Sequence, residues 1–264
     1  MDSVVNQIIG SADYFILLIF RTGGLVISSP IFGRVNVPNI AKICFTMALG
    51  YLFFTIFPQT VDITYSNLIS FLLLCAGELV LGIALSFVTN MFFALSAFTA
   101  GHMIDMQIGF GMVNVYDAQN NMQAPVTGNI INLMLLVLFF AVDGHHRLVE
   151  MVYLTFIRMP IGTPVISPNI GIVALEIFNR AFLLGIMMAL PTTASGLTLE
   201  ITMGMIMRAV PQIHMFVVGV PLKMMVGMTV FSVTLPIYAG FSVRIFGEMF
   251  DGMTNMFGVF LGVP

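Results

Sequence analysis

The sequence predicts an all-α, integral membrane-type protein made of bent and broken helical hairpins. Of its 264 residues, 59% are hydrophobic and only 8% are charged, whereas soluble domains carry roughly a quarter of their residues as charges. Glycine, proline and single charges interrupt the apolar sequence repeatedly. This composition requires a membrane or a large apolar partner surface, so an ordinary soluble monomer is excluded. The interruptions indicate helices that are not simple spans.

About six long apolar segments follow one another along the chain. They cover residues 14–31, 43–57, 68–100, 126–142, 170–199 and 213–243. A straight helix needs about 20 residues to cross about 30 Å of hydrocarbon, so the third, fifth and sixth segments are too long for one span. Each of these three is either a tilted or bent helix or a tight hairpin.

The first apolar segment is expected to be retained rather than removed as a signal peptide. The preceding sequence has no basic region, and no small-residue cleavage site follows the apolar run.

Helix-breaking residues lie inside several of these segments. Gly23 and Gly24 lie in the first, Pro191 is predicted to divide the fifth, and Pro221 is predicted to divide the sixth. Each break frees backbone carbonyls, which are tolerated beside protein or water but not beside lipid.

The third segment has no proline, and its small residues follow a helical spacing. Ala94, Ala97 and Gly101 are expected to share one helix face. Such a face is expected to pack closely against another helix.

Four charged residues lie within or beside apolar sequence: Arg21, Glu78, Glu200 and Lys223. An unpaired charge at the centre of a membrane helix costs at least about 2.5 to 3.5 kcal/mol, so each is expected to have a partner or water. Ion pairs that fix the packing of helices or subunits are the preferred interpretation. A proton or ion relay is the alternative.

The segment 102–125 is neither clearly apolar nor charged. Gly109 and Gly111 flank Phe110, which allows sharp backbone bends around one bulky side chain, and four methionines surround it. An external loop is one interpretation. The other is a loop that folds back into a cavity, where unbranched methionines seal around irregular contents.

Catalysis and nucleic-acid binding lack support in the sequence. The net charge is −3 without a basic stripe, which disfavours nucleic acid as a partner. The motifs of zinc proteases, serine hydrolases and P-loop proteins do not occur, so we expect neither enzymatic activity nor a cofactor. Cys44 and Cys75 lie in apolar runs and are interpreted as small hydrophobic residues rather than as a disulfide or metal site.

Two histidine clusters are the remaining candidates for ligands. Asp143, His145 and His146 are interpreted as a turn or helix cap, because adjacent histidines on a helix point about 100° apart. His102 and Asp105 could share a helix face, but no third ligand accompanies them.

The C-terminal residues at about 248–262 predict an amphipathic helix. Its apolar positions are Met249, Phe250, Met253, Phe257 and Phe260. We expect this face to pack on a partner or on lipid, with a partner favoured.

An ordered set of motifs runs through residues of about 14–245. It comprises Arg21, Gly24, Pro30, Gly33, Pro38 and Lys42, then Gly101, Asp105, Gln107, Gly109 and Gly111, then Gly144, His145 and His146, and finally Arg208, Pro211, Gln212, Val218, Gly219, Pro221, Leu222 and Lys223. Together these motifs resemble the FliR family, a subunit of the flagellar type III export gate.

The resemblance implies one FliR-like domain over residues 1–264, assembled into a helical, closed channel. The implied partners are FliP-like and FliQ-like hydrophobic subunits, FlhB-like and FlhA-like export components, membrane lipid, and unfolded flagellar proteins as cargo. The implied location is the flagellar basal body in the bacterial inner membrane, with part of the complex raised to the periplasmic side. The proton motive force and an ATPase in other subunits would supply the energy.

The resemblance also implies site residues. A plug-like loop at about 103–122 would obstruct the pore with Met106, Gln107, Ile108, Gly109, Phe110, Gly111, Met112, Val113, Asn114, Val115, Tyr116 and Asp117. Assembly or buried-charge roles fall to Arg21, Glu78, Glu200, Arg208 and Lys223.

Two alternatives to the flagellar gate remain. A virulence-type injectisome homologue would have the same fold and other cargo. A small-solute secondary transporter would also have broken helices and midplane charges, although no inverted repeat is apparent and the segment 102–125 lacks a charged cluster.

Overall fold

The computed structural model describes residues 2–34, 36–57, 67–109, 125–162, 169–210 and 215–260, without the side chains of residues 2–11 and 215–217. Every regular element in these ranges is helical, which confirms the all-α class. The elements are α1 (Asp2–Ser28), α2 (Asn39–Ile56), α3 (Leu68–Asn90), a π-helical turn (Met91–Leu95), α4 (Ser96–Ile108), α5 (Val126–Ala141), α6 (Gly144–Arg158), α7 (Ile170–Ala209) and α8 (Met215–Phe260).

Several of these helices are long and apolar enough to cross a membrane. Within the described residues there are four such stretches, Asn39–Ile56, Leu68–Ile108, Ile170–Ala209 and Val218–Phe260, or up to five if α5 and α6 together form one bent span. Within the described residues, the three overlong apolar segments therefore run as continuous helices. This agrees with the interpretation as tilted or bent helices and not with tight hairpins. Continuous helices keep their backbone hydrogen bonds internal, as apolar surroundings require.

The predicted divisions at helix breakers are corrected by the structure. Pro191 lies inside α7, Pro221 lies inside α8, and Gly23 and Gly24 lie inside α1. A proline removes one backbone hydrogen bond, whereas ending the helix there would expose many more backbone groups to an apolar medium. Helices therefore continue through these positions.

The chain forms two compact units. Unit 1 contains Met1–Asn90, Asp143–Ile177 and Met249–Pro264, and unit 2 contains Met91–Val142 and Phe178–Glu248. The prediction of a single export-gate domain over residues 1–264 stays a prediction.

In unit 1, α1 packs against α3 at two glycines. A Cβ atom on Gly82 would overlap the carbonyl oxygen of Arg21 and lie 2.9 Å from the amide nitrogen of Leu25. A Cβ atom on Gly24 would lie 2.6 Å from the carbonyl oxygen of Leu79. The two backbones approach this closely only because neither residue has a side chain.

Aromatic rings connect further elements within each unit. In unit 1, Phe53 of α2 packs on Phe156 of α6 with ring centroids 5.0 Å apart. In unit 2, Phe93 packs on Phe139 and Phe246 at 5.3 and 5.8 Å. All of these rings are buried: Phe156 is 6% exposed, and the others are at most 3% exposed.

Two of the three small residues predicted to share a face do pack against a neighbouring helix. A Cβ atom on Gly101 would overlap the backbone of Gly128 in α5, and one on Gly128 would lie 3.1 Å from the carbonyl oxygen of Ala97. Ala94 is exposed instead. It lies in the π-helical turn, which shifts the helical register and turns Ala94 away from that face.

The C-terminal residues form the end of α8 rather than a separate helix. Met249, Met253 and Phe260 are at most 2% exposed, while Asp251 and Thr254 are exposed. The apolar positions are therefore buried within this chain, which corrects the expectation that they face a partner or lipid.

Substitution of Gly82 by alanine is expected to destabilise the protein. The added Cβ atom would meet the backbone of α1, which cannot rotate away, and overpacking of this kind costs about 1 to 3 kcal/mol or more. Thermal unfolding in mild detergent measures the change. The matched control is Gly240→Ala, where a Cβ atom meets nothing within 4 Å. Equal melting temperatures for the two variants would contradict the described contact.

Candidate functional site at the last turn of α4 and the paired charges

The predicted plug residues fall partly within the described structure. Met106, Gln107 and Ile108 form the last turn of α4. Gly109 ends the helix in the left-handed conformation, with φ of 95°, and its N–H donates to the carbonyl oxygen of Asp105 at 3.0 Å. Helix α4 thus extends to residue 108, inside the stretch of about 103–122 that the resemblance to the FliR family predicts to be a loop. The remaining predicted plug residues, Phe110, Gly111, Met112, Val113, Asn114, Val115, Tyr116 and Asp117, lie outside the described residues.

A buried carboxylate joins α4 to the start of α5. Oδ1 of Asp105, which is 1% exposed, accepts a hydrogen bond from the backbone N–H of Thr127 at 3.2 Å. The Thr127 hydroxyl lies 2.5 Å from the same oxygen and 3.0 Å from the carbonyl oxygen of Gly101. Since α5 begins after Pro125 without a side-chain cap, Asp105 supplies the acceptor that an N-cap residue normally provides. His102, which the sequence pairs with Asp105, is exposed.

The last turn of α4 lies against α7 and α8 at two further glycines. A Cβ atom on Gly196 would lie 2.5 Å from Oε1 and 3.1 Å from Cβ of Gln107. One on Gly227 would lie 2.8 Å from Cγ1 of Ile108. We call these two contacts the glycine seat of α4. Ile108 is 1% exposed there, whereas Met106 on the other side of the turn is 63% exposed.

An ion pair joins α7 and α8 one turn beyond the glycine seat. Nζ of Lys223 lies 2.5 Å from Oε1 of Glu200, with side-chain exposures of 23% and 41%. Glu200 follows Gly196 by four residues and Lys223 precedes Gly227 by four residues, so each charge lies on the face of its helix that carries the seat. Predicted assembly residue Arg208 lies exposed in the last turn of α7, where a cation interacts favourably with the helix dipole.

A buried network in unit 1 surrounds the other two charges. Nε of Arg21 lies 2.5 Å from Oε2 of Glu78, and the side chains are 1% and 0% exposed. Nη1 of Arg21 donates to the carbonyl oxygen of Met159 at 3.0 Å. Oε1 of Glu78 accepts from the backbone N–H of Gly162 at 2.9 Å. The guanidinium also lies 4.7 Å from the centroid of the Phe156 ring, so this pair joins α1, α3, α6 and the turn that follows α6.

The structure therefore provides a partner for each of the four charges that the sequence places in apolar surroundings. The Arg21–Glu78 pair is enclosed and hydrogen-bonded on both sides, which fits the ion-pair interpretation better than a relay. The proposed roles of these residues and Arg208 in assembly remain predictions.

The histidine cluster lies at the start of α6. Asp143 occupies the N-cap position with φ of 56°, and its Oδ1 lies 3.3 Å from Nδ1 of His146. The rings of His145 and His146 are 4.1 Å apart between centroids, so the expectation that they point apart is wrong. Side-chain torsions bring the rings together even though their Cα–Cβ bonds diverge around the helix. Asp143 and His146 are about three-quarters exposed, which fits the predicted turn. Cys44 and Cys75 are free thiols.

Several residues of this site were not identified from the sequence. Thr127 completes the Asp105 contact, and Gly196 and Gly227 form the glycine seat. Glycines inside apolar helices could have indicated close helix contacts, since small residues permit close backbone approach. They do not indicate which helices are in contact.

Comparison with known proteins assigns this architecture to a family. The model of the family described as "Bacterial export proteins, family 1" matches residues 12–249. The chain belongs to this family. It is similar to the flagellar biosynthetic protein FliR of Bacillus subtilis (strain 168), with 28% identity over 96% of this chain and 97% of the relative. It is similar to the protein of that name from Escherichia coli (strain K12), with 29% identity over 90% of each chain.

Membership of this export family confirms the resemblance to FliR. A further relative, the flagellar biosynthetic protein FliR of Aquifex aeolicus (strain VF5), is 23% identical over 90% of each chain. The match over nearly all of the chain favours protein export over small-solute transport. It also fits the absence of catalytic motifs, because the family is defined by export.

Removal of one partner of the Arg21–Glu78 pair is expected to destabilise unit 1 strongly. Glu78→Leu leaves the Arg21 guanidinium buried without its carboxylate, which costs about 3 to 5 kcal/mol. The double variant Arg21→Met, Glu78→Leu should lose less stability than Glu78→Leu alone, because no buried charge remains at this site. Thermal unfolding in detergent measures both.

Arg208→Met is the control for this experiment, since Arg208 is exposed and its removal should change the melting temperature little. If Glu78→Leu melts at the same temperature as this control, the buried pair does not have the described role.

Proposed function

We propose that this chain is a channel-forming subunit of the flagellar type III export gate, which passes unfolded flagellar proteins across the bacterial inner membrane. The observation that carries the proposal is the family match over residues 12–249, together with relatives named flagellar biosynthetic protein FliR that are matched over at least nine-tenths of their length. The apolar helices support a position in the inner-membrane part of the flagellar machinery.

Exposed apolar surface supports an assembled state. In an apolar 18-residue stretch of each candidate span, only 22% to 28% of the residues are buried within this chain. Ile40, Leu68 and Ile69 are each more than 70% exposed. Such surface requires lipid or other subunits. We therefore propose FliP-like and FliQ-like subunits as direct partners, with FlhB-like and FlhA-like components in the same apparatus.

We propose that the pore plug begins at the last turn of α4 and runs from Met106 to Asp117. The positions of the two anchors of this segment, and its length, support the proposal. The chain leaves α4 at Gly109 and rejoins it at Pro125, whose Cγ is 3.3 Å from a Cβ atom placed on Gly101. These points are about 12 Å apart along α4, whereas the chain between them has a contour length of about 50 Å. This length is sufficient for a loop that reaches away from its anchors.

The proposed subunit has no enzymatic activity and needs no cofactor. Its part in transport is mechanical: apolar plug side chains limit ion leakage, and glycines permit the plug to move aside for a substrate. Energy comes from the proton motive force and from an ATPase elsewhere in the apparatus. Part of the assembly is proposed to rise from the bilayer towards the periplasm.

Replacement of Gly109 and Gly111 by valine is expected to impair export. Gly109 has φ of 95°, a conformation that a β-branched residue adopts only at a cost. The measurement is the amount of flagellar substrate secreted by cells whose own copy is replaced, together with ion leakage across the membrane. Gly204→Val is the control, because Gly204 lies inside α7 with nothing within 4 Å of an added Cβ atom. Normal motility and normal ion tightness in the double variant would count against the plug.

Charge reversal at Lys223 is expected to reduce recovery of the intact complex. Lys223→Glu places two carboxylates where the structure has an ion pair with Glu200. Affinity purification through a partner subunit measures the yield. The charge-swapped variant Lys223→Glu, Glu200→Lys should recover part of it, because attraction is restored. Full yield from Lys223→Glu alone would show that the pair has no assembly role.

A further inference from the structure

The glycine seat fixes where the last turn of α4 lies in this conformation. Gly196 of α7 faces Gln107, and Gly227 of α8 faces Ile108, each at a distance that leaves no room for a Cβ atom. Gly109 follows directly, with Met224 Cγ 3.9 Å from a Cβ atom placed on it. Three helices of unit 2 therefore meet at this turn.

One polar group in the seat finds no hydrogen-bond donor among the described residues. Oε1 of Gln107 is buried, and none of these residues donates to it. A buried acceptor without a donor is unfavourable, because it has lost its hydrogen bonds to water and gained none in return. If the turn left the seat, this amide could bond to water or to another partner. The favourable packing in the seat is therefore partly opposed by the cost of the unpaired amide oxygen. Unpaired buried polar groups are uncommon in native proteins, and strain at a functional site is one reason for them.

The remainder of α4 is fastened more completely. Ser96 Oγ donates to the carbonyl oxygen of Ala181 in α7 at 3.0 Å. A Cβ atom on Gly185 would lie 2.8 Å from Cβ of Thr99. Further along, Asp105 accepts two donors from Thr127. Any movement at the end of α4 is thus confined to the residues that follow Asp105.

The ion pair between Glu200 and Lys223 closes the seat on the side beyond Gly196 and Gly227. Its 2.5 Å separation holds α7 and α8 together next to the two glycines. Separation of these helices would widen the seat.

We propose that Gly196 and Gly227 are positioning residues of the export gate. They seat Gln107 and Ile108 while the gate is closed, and this turn leaves the seat when a substrate passes. The Glu200–Lys223 pair sets how firmly the seat is closed. This inference rests on the proposed export function, and its two positioning residues, Gly196 and Gly227, are in none of the family motifs described above.

A reversible crosslink tests whether the turn must leave the seat. The variant Gln107→Cys, Gly196→Cys places two Cβ positions 3.1 Å apart, a few tenths of an ångström below the roughly 3.5–4.5 Å found in disulfides, so a small separation of the helices admits the bond. Cys44 and Cys75 are first replaced by serine and alanine. Oxidation is expected to form the disulfide and to abolish secretion of flagellar substrates, and reduction is expected to restore it.

The matched controls are the single variants Gln107→Cys and Gly196→Cys, which carry the same substitutions but cannot form the crosslink. Each should secrete flagellar substrates equally well with and without the oxidant.

Each other outcome overturns a defined part of the account. Continued secretion with the Gln107–Gly196 positions crosslinked would show that the turn need not leave the seat. Failure of that disulfide to form would show that the seat is wrong. Equal loss of secretion by the oxidised single variants would show that the crosslink is not what stops export. If the cysteine-free parent does not restore secretion in cells lacking their own copy, the proposed export function fails and the motion with it. The crosslinking yield still reports the seat in that case.

Discussion

Backbone hydrogen bonds that must be satisfied within each helix constrain this whole chain. Its helices expose much of their apolar surface, and no water is available in hydrocarbon to pair with free amide or carbonyl groups. Helices therefore run long, as in Leu68–Ile108 and Ile170–Ala209, and they continue through Pro191 and Pro221. Irregular backbone is restricted to short connections and to the π-helical turn at Met91–Leu95 among the described residues.

The same apolar surroundings determine how helices meet and how charges are tolerated. Hydrophobic burial contributes little to association between helices in lipid, so close packing at small residues becomes important. Gly24 with Gly82 and Gly101 with Gly128 are such contacts. A buried charge needs an opposite charge beside it, and in the Arg21–Glu78 pair two further atoms, Nη1 of Arg21 and Oε1 of Glu78, bond to backbone groups of Met159 and Gly162. One buried pair thereby fixes elements that are distant in sequence.

Much of the fold could be predicted from the sequence, because composition and periodicity indicate whether a helix lies in apolar surroundings or in water. The helical class, the apolar segments and the need for partners at Arg21, Glu78, Glu200 and Lys223 follow from that reasoning. Pairing between particular helices does not follow, since Gly196 and Gly227 look alike until α4 is known to lie between them. Ala94 was misplaced because a π-helical turn changes the register without a distinctive sequence. Pro191 and Pro221 do not divide their helices because a continuous helix leaves fewer backbone groups unpaired than two helix ends would.

The central claim is that this chain functions as one subunit of a hetero-oligomeric export gate. Native mass spectrometry of the protein, purified in mild detergent from cells that coexpress FliP-like and FliQ-like subunits, tests it most directly. The account predicts a large assembly that contains this chain together with both smaller hydrophobic subunits. A lone monomer or a homo-oligomer, recovered despite coexpression of the partners, would contradict it.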